Sequence, residues 1–423
     1  MALEILLPGF IGIANNGDFG KIYAWLCLAP RGAETNFVYF QPSYVYAAPN
    51  YWNSPYHSSQ SALAWIAARL AGATHEGAAF DIRWLGALHV AIWLLALAVL
   101  LWSTRHAYAA ILPVLIFTDV CYAAYLNSFY MDAMALSALL LMAASGIAML
   151  ARREGTEVWP TLLFAAAALL FATSKAQHAV WAILPAAFLL AWRTAVARGA
   201  GIAVLLAAMA ILGTTDAAYR GQAMFNVLFY RLGPAGADLA SLGVQAGELR
   251  YSGMHAYMEG VPVSDREWAE QFGRRTGFAR LLGWYLLHPA RTAQFLGDTL
   301  REGAPEMRPV NLSNFPADRG QPPGARTHRF AWWSDLRAAL LRHWPWHLPL
   351  WYAVFFVGCL RSRSPLKWLA LGCAVLGAGE FTAAALGDAL DAGRHLFLFH
   401  AATDLTLCFA GAALIQTTMR HTP

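Results

Sequence analysis

Long apolar runs, separated by short polar stretches, dominate the chain. A bilayer core about 30 Å thick takes roughly 20 helical residues to cross, and fewer when the helix ends snorkel. Nine runs of this kind predict membrane-spanning helices: Trp84–Trp102, Tyr108–Leu126, Asp132–Ala151, Trp159–Thr173, Ala179–Trp192, Ala200–Thr214, Trp346–Leu360, Trp368–Gly387 and Leu396–Gln416. A tenth run, Ala2–Ala14, is only about 20 Å long as a helix. It predicts either a tilted helix where the membrane is thin or the remainder of a helix that starts upstream of Met1. Together with the nine longer runs, it gives about ten spans.

Basic residues in the short connections indicate the orientation. One set of connections carries nearly all of them: Arg105, Arg152, Arg153, Arg193, Arg198, Arg361, Arg363, Lys367 and Arg420. The opposite short connections carry only Lys175 and Arg394. Because short cytoplasmic loops are enriched in Lys and Arg, the first set is predicted to be cytoplasmic, with both termini inside. The two long segments, Asn15–Arg83 and Asp216–Pro345, then lie outside.

These assignments divide the chain into three parts. They are residues 1–214, a transmembrane module that includes a first outer loop over 15–83; residues 215–345, an extracytoplasmic lid or acceptor segment; and residues 346–423, the C-terminal transmembrane helices. Within the outer segments, the pattern predicts a membrane-surface helix at Gln60–Leu70 and helical structure at Gly277–Gly303, followed by the aromatic stretch Trp332–Trp346. A loop as long as the second outer segment is usually functional.

The composition agrees with a membrane protein. Hydrophobic residues make up 58% of the chain and charged residues 13%, whereas soluble domains carry about 25% charged residues. This excludes a disordered chain, a collagen-like fibre and a disulfide scaffold, and disfavours a cytosolic globule. The net charge of +5 is scattered along the chain, so no nucleic-acid partner is indicated. The five cysteines are far apart and are expected to pack in the interior rather than bind a metal.

Ionisable residues within the predicted spans cluster toward one face. Asp119, Glu380 and Asp404 fall about 10–12 Å below the outer surface, and the inner halves of the spans are almost purely apolar. Charged groups in a bilayer are costly, so their position points to function. A transporter needs polar groups near the midplane, and this one-sided distribution favours an enzyme at the outer face. The alternative is that each acid is hydrogen-bonded between helices.

Five local stretches carry a family resemblance. They are Asn15–Lys21 (NNGDFGK) at the start of the first outer loop, Asn127–Asp132 and Ser174–His178 at outer helix junctions, Leu287–Pro289 in the second loop, and Gly393–Phe397 before the last span. In this order and on one side of the membrane, they resemble the GT-C superfamily of integral-membrane glycosyltransferases, in particular the bacterial branch that decorates cell-surface glycans with hexoses.

The resemblance implies an all-α polytopic membrane protein of the GT-C type, with about ten transmembrane helices and two large extracytoplasmic segments carrying membrane-surface helices. It implies an inverting glycosyltransferase of the bacterial inner membrane, active on the extracytoplasmic side. The donor would be a monosaccharide, expected to be a hexose, on a polyprenyl phosphate, and the acceptor a glycan or lipid-glycan. Many members carry two acids in the first loop where this chain has only Asp18, with Asn16 nearby. No cofactor is therefore indicated, although a divalent metal stays possible.

The chemistry assigns roles to the outer charged residues. Asp18 occupies the position of the family's first-loop acid and is expected to act as general base on the acceptor hydroxyl. Three basic residues lie at the height of a phosphate at the membrane surface and are expected to bind it: Arg394, His395 and Lys175. Two plainer alternatives are open, in which Arg394 pairs with Asp388 or Asp391 and Lys175 snorkels.

A wider set of polar and aromatic residues is expected to bind the sugar or the acceptor: Asn16, Tyr51, Trp52, Asn53, His57, Asn127, Tyr130, Asp132, Gln177, His178 and His288. Asp119, Glu380 and Asp404 are expected to shape the cavity. Asp132 could instead cap the helix that starts there, and Tyr and Trp also gather at membrane interfaces without binding anything.

Two other functions fit the same pattern. One is a flippase or transporter of lipid-linked sugars, which predicts polar residues in the inner halves of the spans. The other is a polymerase or ligase that moves an oligosaccharide from a lipid diphosphate, which fits the arginine-rich second outer segment. The early acid Asp18 and the late pair Arg394 and His395 favour the monosaccharide transferase.

Overall fold

The computed structural model describes residues 2–14, 17–31, 38–47, 56–151, 158–215, 217–309, 311–387 and 389–420, and most of them are helical. The helices are α1 Ala2–Ile5, α2 Gly17–Tyr23, α3 Ser59–Leu70, α4 Arg83–Thr104, α5 Tyr108–Phe117, α6 Val120–Ala123, α7 Met131–Ala151, α8 Trp159–Ala172, α9 Ala176–Ala179, α10 Ile183–Leu190, α11 Ala195–Thr214, α12 Ala217–Phe225, α13 Arg266–Thr276, α14 Phe278–Leu287, α15 Pro289–Asp298, α16 Trp332–His343, α17 His347–Arg361, α18 Lys367–Gly387, α19 Ala392–His395 and α20 Phe397–Arg420. The strands are β1 Gly12–Ile13, β2 Leu28–Pro30, β3 Ser43–Tyr46, β4 Ala79–Asp81 and β5 Leu312–Asn314.

The nine predicted apolar runs are mainly helical, but Tyr108–Leu126, predicted as one helix, is broken after α5. Within the described residues, α4, α7, α11 and α18 are long and apolar enough to cross a membrane, and α5 with residues 120–127 forms a bent pair that passes the same test as one unit. The remaining predicted spans are shorter helices, apart from α20, which is 24 residues long. The total of about ten spans stays a prediction.

The prediction for the first run is wrong. Residues 2–14 do not form one helix, because α1 ends at Ile5 and Gly9 adopts a φ of 92°. Pro8 precedes this turn, and a Pro–Gly pair ends helices. The chain then enters β1, which pairs antiparallel with β5, so the first residues are joined to the second outer segment.

Packing in the bundle separates a central helix from peripheral ones. In α7, 78% of the apolar window is buried, against 22% in α11. Alanine and serine along α7 let α4 and α8 pack closely on either side. The exposed residues of α11 include Ile202, Leu206 and Met209, which are apolar side chains suited to lipid.

The helix α5 ends at a sharp break. The axis turns by 66° between α5 and the helical residues 120–127. Asp119 lies at the break in an extended conformation, and its side chain caps α6 by accepting a hydrogen bond from the Cys121 amide at 2.9 Å. The Val120 amide donates to the carbonyl of Phe330 at 3.0 Å, so residues from the second outer segment occupy the space beside the break.

The outer segments have their own structure. Antiparallel strands β2, β3 and β4 form a small sheet in the first segment, and the predicted helix there is confirmed as α3, capped by Ser58. In the second segment, the predicted helical region splits into α14 and α15 at His288 and Pro289, because proline cannot continue a helix. A separate aromatic core that includes Phe225, Phe229 and Phe272 holds this segment together.

Candidate functional site

Asp18 lies in the first turn of α2 and contacts two cations. Lys21, one turn later, donates from Nζ to Asp18 Oδ1 at 2.7 Å. Arg394, which is 376 residues away in sequence, donates from Nη1 to Asp18 Oδ2. The predicted base and the predicted phosphate ligand are therefore in direct contact.

Several groups orient the Arg394 guanidinium. It lies 5.3 Å from the centre of the Tyr130 ring, and Nη1 is 3.4 Å from the Tyr130 hydroxyl. Nε is 3.5 Å from Asp391 Oδ2, which agrees with the plainer alternative considered for this arginine. A side chain at position 393 would meet the Glu306 carbonyl at 2.9 Å, so only glycine fits before Arg394.

A second acid lies beside the first group. Asp132, in the first turn of α7, is 3.6 Å from Lys175 Nζ and 3.7 Å from His178 Nε2. The other ring nitrogen of His178 is 2.8 Å from the hydroxyl of Ser174, which fixes the ring. Asp132 therefore contacts two basic side chains from a neighbouring segment.

We call Asp18, Lys21, Asp132, Lys175 and Arg394 the open cluster, because each side chain is 10–23% exposed. Burial alone raises the pKa of Asp18, but Lys21, Arg394 and Lys175 outweigh it and hold that pKa well below the usual carboxyl value. Burial also disfavours the charged form of Arg394, yet Tyr130, Asp18 and Asp391 keep its pKa well above the usual value. Asp18 and Arg394 are thus both charged at neutral pH, and both side chains are partly reachable from solvent.

Two of the other predicted acids form a different site. Asp119 accepts hydrogen bonds from the amides of Trp333 and Ser334 at 2.9 and 3.0 Å, and from the Ser334 hydroxyl at 2.8 Å. Asp404 accepts from the Trp333 indole and from the Tyr122 hydroxyl, both at 2.6 Å, and is paired with Arg337. We call this group the anchor cluster, consisting of Asp119, Tyr122, Trp333, Ser334, Arg337 and Asp404. It attaches α16 to the bundle.

Three more predicted residues lie outside the open cluster. Asn127 is buried and donates from its amide nitrogen to the carbonyls of Ile5 and Ile11 at 2.8 and 2.9 Å. His57 stands 5.7 Å from the Trp25 ring, and His288 stacks on Trp284 at the α14–α15 junction.

Gln177 donates to Glu380 at 2.5 Å, which links α9 to α18 near Lys175. His395 follows Arg394, and its Nε2 lies 3.5 Å from Arg394 Nη2. Four further predicted residues, Asn16, Tyr51, Trp52 and Asn53, lie outside the described residues, as does Asp388.

Some contacts were missed by sequence reasoning. Lys21 follows Asp18 by three residues, and this helical spacing could have indicated the pair. Asn311 donates to the Tyr130 hydroxyl at 3.2 Å, a contact between the second outer segment and the bundle that no local pattern indicates. Arg337 interrupts the apolar pattern of its segment, which was the available signal for the anchor cluster.

The described residues contain no group of three or more His, Cys, Asp or Glu side chains placed to hold a metal ion. An apolar cavity of about 590 Å³ lies between α4, α5, α7 and α20. Its lining on α7 runs from Leu140 to Ala151, which is 8 to 19 residues below Asp132, so it lies deeper in the bundle than the open cluster.

Comparisons with known proteins give one match. A family model described as the YfdI N-terminal transmembrane domain covers residues 2–422. No curated protein and no solved structure matches the chain. The family description and the long apolar helices together indicate an integral membrane protein.

Proposed function

The chain belongs to the YfdI N-terminal transmembrane domain family, and we propose that it is an inverting glycosyltransferase working at the outer face of the membrane. It would move a monosaccharide, in our proposal a hexose, from a polyprenyl-phosphate donor to a glycan or lipid-glycan acceptor. The donor is a phosphodiester with a single negative charge, and the lipid-bound phosphate leaves as a monoester.

One observation carries the proposal, namely the contact between Asp18 and Arg394. Transfer from a phosphate donor needs a base for the acceptor and a cation for the leaving phosphate within one substrate length of each other. The open cluster supplies both on a partly exposed surface. Lys175 lies close enough to lower the pKa of Asp18, so it can contact the same phosphate.

The proposed reaction is a single displacement. Asp18 takes the proton of the acceptor hydroxyl as the acceptor oxygen bonds to the anomeric carbon. The bond from that carbon to the phosphate oxygen breaks, and its electron pair stays on the departing phosphate. Arg394 and Lys175 stabilise the added charge.

Asp18 and the donor phosphate compete for Arg394, and this competition sets the order of the steps. A carboxylate held by two cations is a weak base, because both favour its ionised form. The donor phosphate binds Arg394 and withdraws it from Asp18, which raises the pKa of Asp18 and makes it a stronger base. Donor binding therefore precedes proton transfer.

The remaining predicted residues take supporting roles in the proposal. Asp132 of the open cluster, with Tyr130 and His178 beside it, would bind sugar hydroxyls, while Gln177 and Glu380 adjoin the cluster. Part of the lipid tail would occupy the apolar cavity between α4, α5, α7 and α20.

The test is transfer of radiolabelled hexose from polyprenyl-phosphate-hexose to a surface-glycan acceptor in membranes that contain the full chain. We expect Asp18→Asn to lower transfer by about 10²- to 10⁴-fold, the usual contribution of a positioned base. The matched control is Asp391→Asn, which also removes a carboxylate near Arg394, but one that is 63% exposed; it should retain most of the transfer.

Three results would contradict the proposal. Full transfer by Asp18→Asn would remove Asp18 as the base. Transfer only from a lipid-diphosphate oligosaccharide would identify a polymerase or ligase instead. Movement of labelled lipid-linked sugar across liposomes without glycosidic transfer would identify a transporter.

A further inference from the structure

The helix α16 has three distinct sides. Its buried side contains Ser334, Arg337, Ala338 and Leu341, each at most 7% exposed. Its largely apolar exposed side, which we call the α16 stripe, carries Trp332, Leu336 and Leu340, with Trp344 directly after the helix, each 43–59% exposed. His343, in the last turn, is the one polar residue on this side. The third side is polar and exposed, with Asp335 paired to Arg308, and with Arg342.

The buried side fixes how deep α16 lies. Its two attachment points are Asp119, at the end of α5, and Asp404, seven residues into α20. At 1.5 Å per residue, Asp404 lies roughly 10 Å along α20 from its start, and Asp119 follows directly after α5, a helix roughly 15 Å long. Because both acids belong to helices of the membrane bundle, α16 lies beside these helices and not above them.

The α16 stripe continues into the next helix. After Pro345, α17 exposes Leu350, Val354, Val357 and Leu360 at helical spacing, each at least 45% exposed. α17 packs along α18, which is one of the helices apolar enough to cross the membrane. Apolar side chains are therefore exposed on both helices, before and after Pro345.

We propose that α16 is embedded in the membrane leaflet next to the open cluster, with the α16 stripe against lipid acyl chains and its polar side toward the outer segment. Large apolar side chains in a row are unfavourable in water and favourable in hydrocarbon. Trp344 at the end of the stripe, beside Trp346, lies where aromatic residues favour the membrane surface. The second outer segment is thereby anchored in the lipid as well as to the bundle.

Nitroxide accessibility in liposomes tests this directly. Leu340→Cys and Arg342→Cys are two residues apart on the same helix, one on the stripe and one on the polar side. We expect the label at 340 to collide mainly with oxygen, which partitions into hydrocarbon, and the label at 342 mainly with a water-soluble nickel chelate. Signal from the five native cysteines is subtracted with the labelled parent chain.

Two outcomes would overturn the proposal. Equal contact of both labels with the nickel chelate would place the stripe in water, and exclusion of both reagents from position 340 would indicate a protein partner. As an independent measurement, quenching by brominated lipids should fall in Trp344→Phe relative to the parent chain. Unchanged quenching there would also count against the lipid contact.

Discussion

The open cluster and the anchor cluster both contain an aspartate paired with an arginine from a distant part of the chain. They differ in exposure and in the number of partners. In the anchor cluster, Arg337 and Asp404 have side chains 5% and 0% exposed, and Asp404 accepts three hydrogen bonds. In the open cluster, Arg394 and Asp18 are 13% and 23% exposed. A saturated buried pair holds two elements together, whereas a partly exposed pair with further cations beside it can exchange one partner for a ligand.

Removing one partner of the buried pair should produce the largest effect on stability. We expect Arg337→Met to lower the free energy of unfolding by about 3–5 kcal/mol, because it leaves the Asp404 carboxylate buried without its counter-ion. Thermal unfolding of the purified chain in detergent measures this loss. The double variant Arg337→Met with Asp404→Leu should recover much of it, and a double variant as unstable as the single one would contradict this explanation.

Asp119→Asn should have a smaller effect of the same kind. The amide keeps the size of the side chain but replaces a charged acceptor of hydrogen bonds from α16 by a neutral one, which costs about 1.5–3 kcal/mol. The same unfolding measurement applies. If Asp119→Asn left unfolding unchanged while abolishing transfer, Asp119 would belong with the functional residues. The distinction between a structural anchor cluster and a functional open cluster would then be wrong.

Arg394→Gln should have the opposite effect to the anchor-cluster variants. It should weaken binding of the lipid-phosphate sugar donor and cause little loss of stability. Loss of a charged hydrogen-bond donor to phosphate is expected to weaken binding of a polyprenyl phosphodiester by roughly 10- to 100-fold. Equilibrium binding of the labelled diester to the purified chain measures the change. Arg394→Lys should recover part of the affinity, because it restores the charge without the planar pair of donors. Unfolding as severe as in Arg337→Met would show that this pair is structural too.

Lys21→Gln should give the smallest effect, a shift in pH dependence. Lys21 and Arg394 keep the pKa of Asp18 well below 3.8, so the proposed base stays ionised above its lowered pKa, and the ionised form is lost only as the pH falls through that pKa. Removing one of these cations raises that pKa. The acid limb of the transfer rate should therefore move to higher pH. An unmoved limb would show that Asp18 does not control it.

The sequence indicated the helices better than the contacts between them. The lengths of the apolar runs identified α4, α7, α11 and α18. The basic residues in the short loops predicted that Asp18, Lys175 and Arg394 lie on the same side of the membrane. The break between α5 and α6 was missed because its cause is a distant segment: Trp333 and Ser334 occupy the space beside Asp119. The first fourteen residues were assigned to one run because apolar length alone does not register the Pro8–Gly9 turn or the pairing of β1 with β5.

The distance in sequence between Asp119 and its partners also affects biosynthesis. Asp119 is 214 residues ahead of Trp333, and Asp404 is 67 residues beyond Arg337. At synthesis rates of about 5–20 residues per second, Asp119 leaves the ribosome roughly 10–40 s before its hydrogen-bond donors on α16 exist. During that interval the end of α5 needs water or a helper protein to solvate the carboxylate. Docking of the end of α5 against α16 is therefore completed only late in the synthesis of the chain.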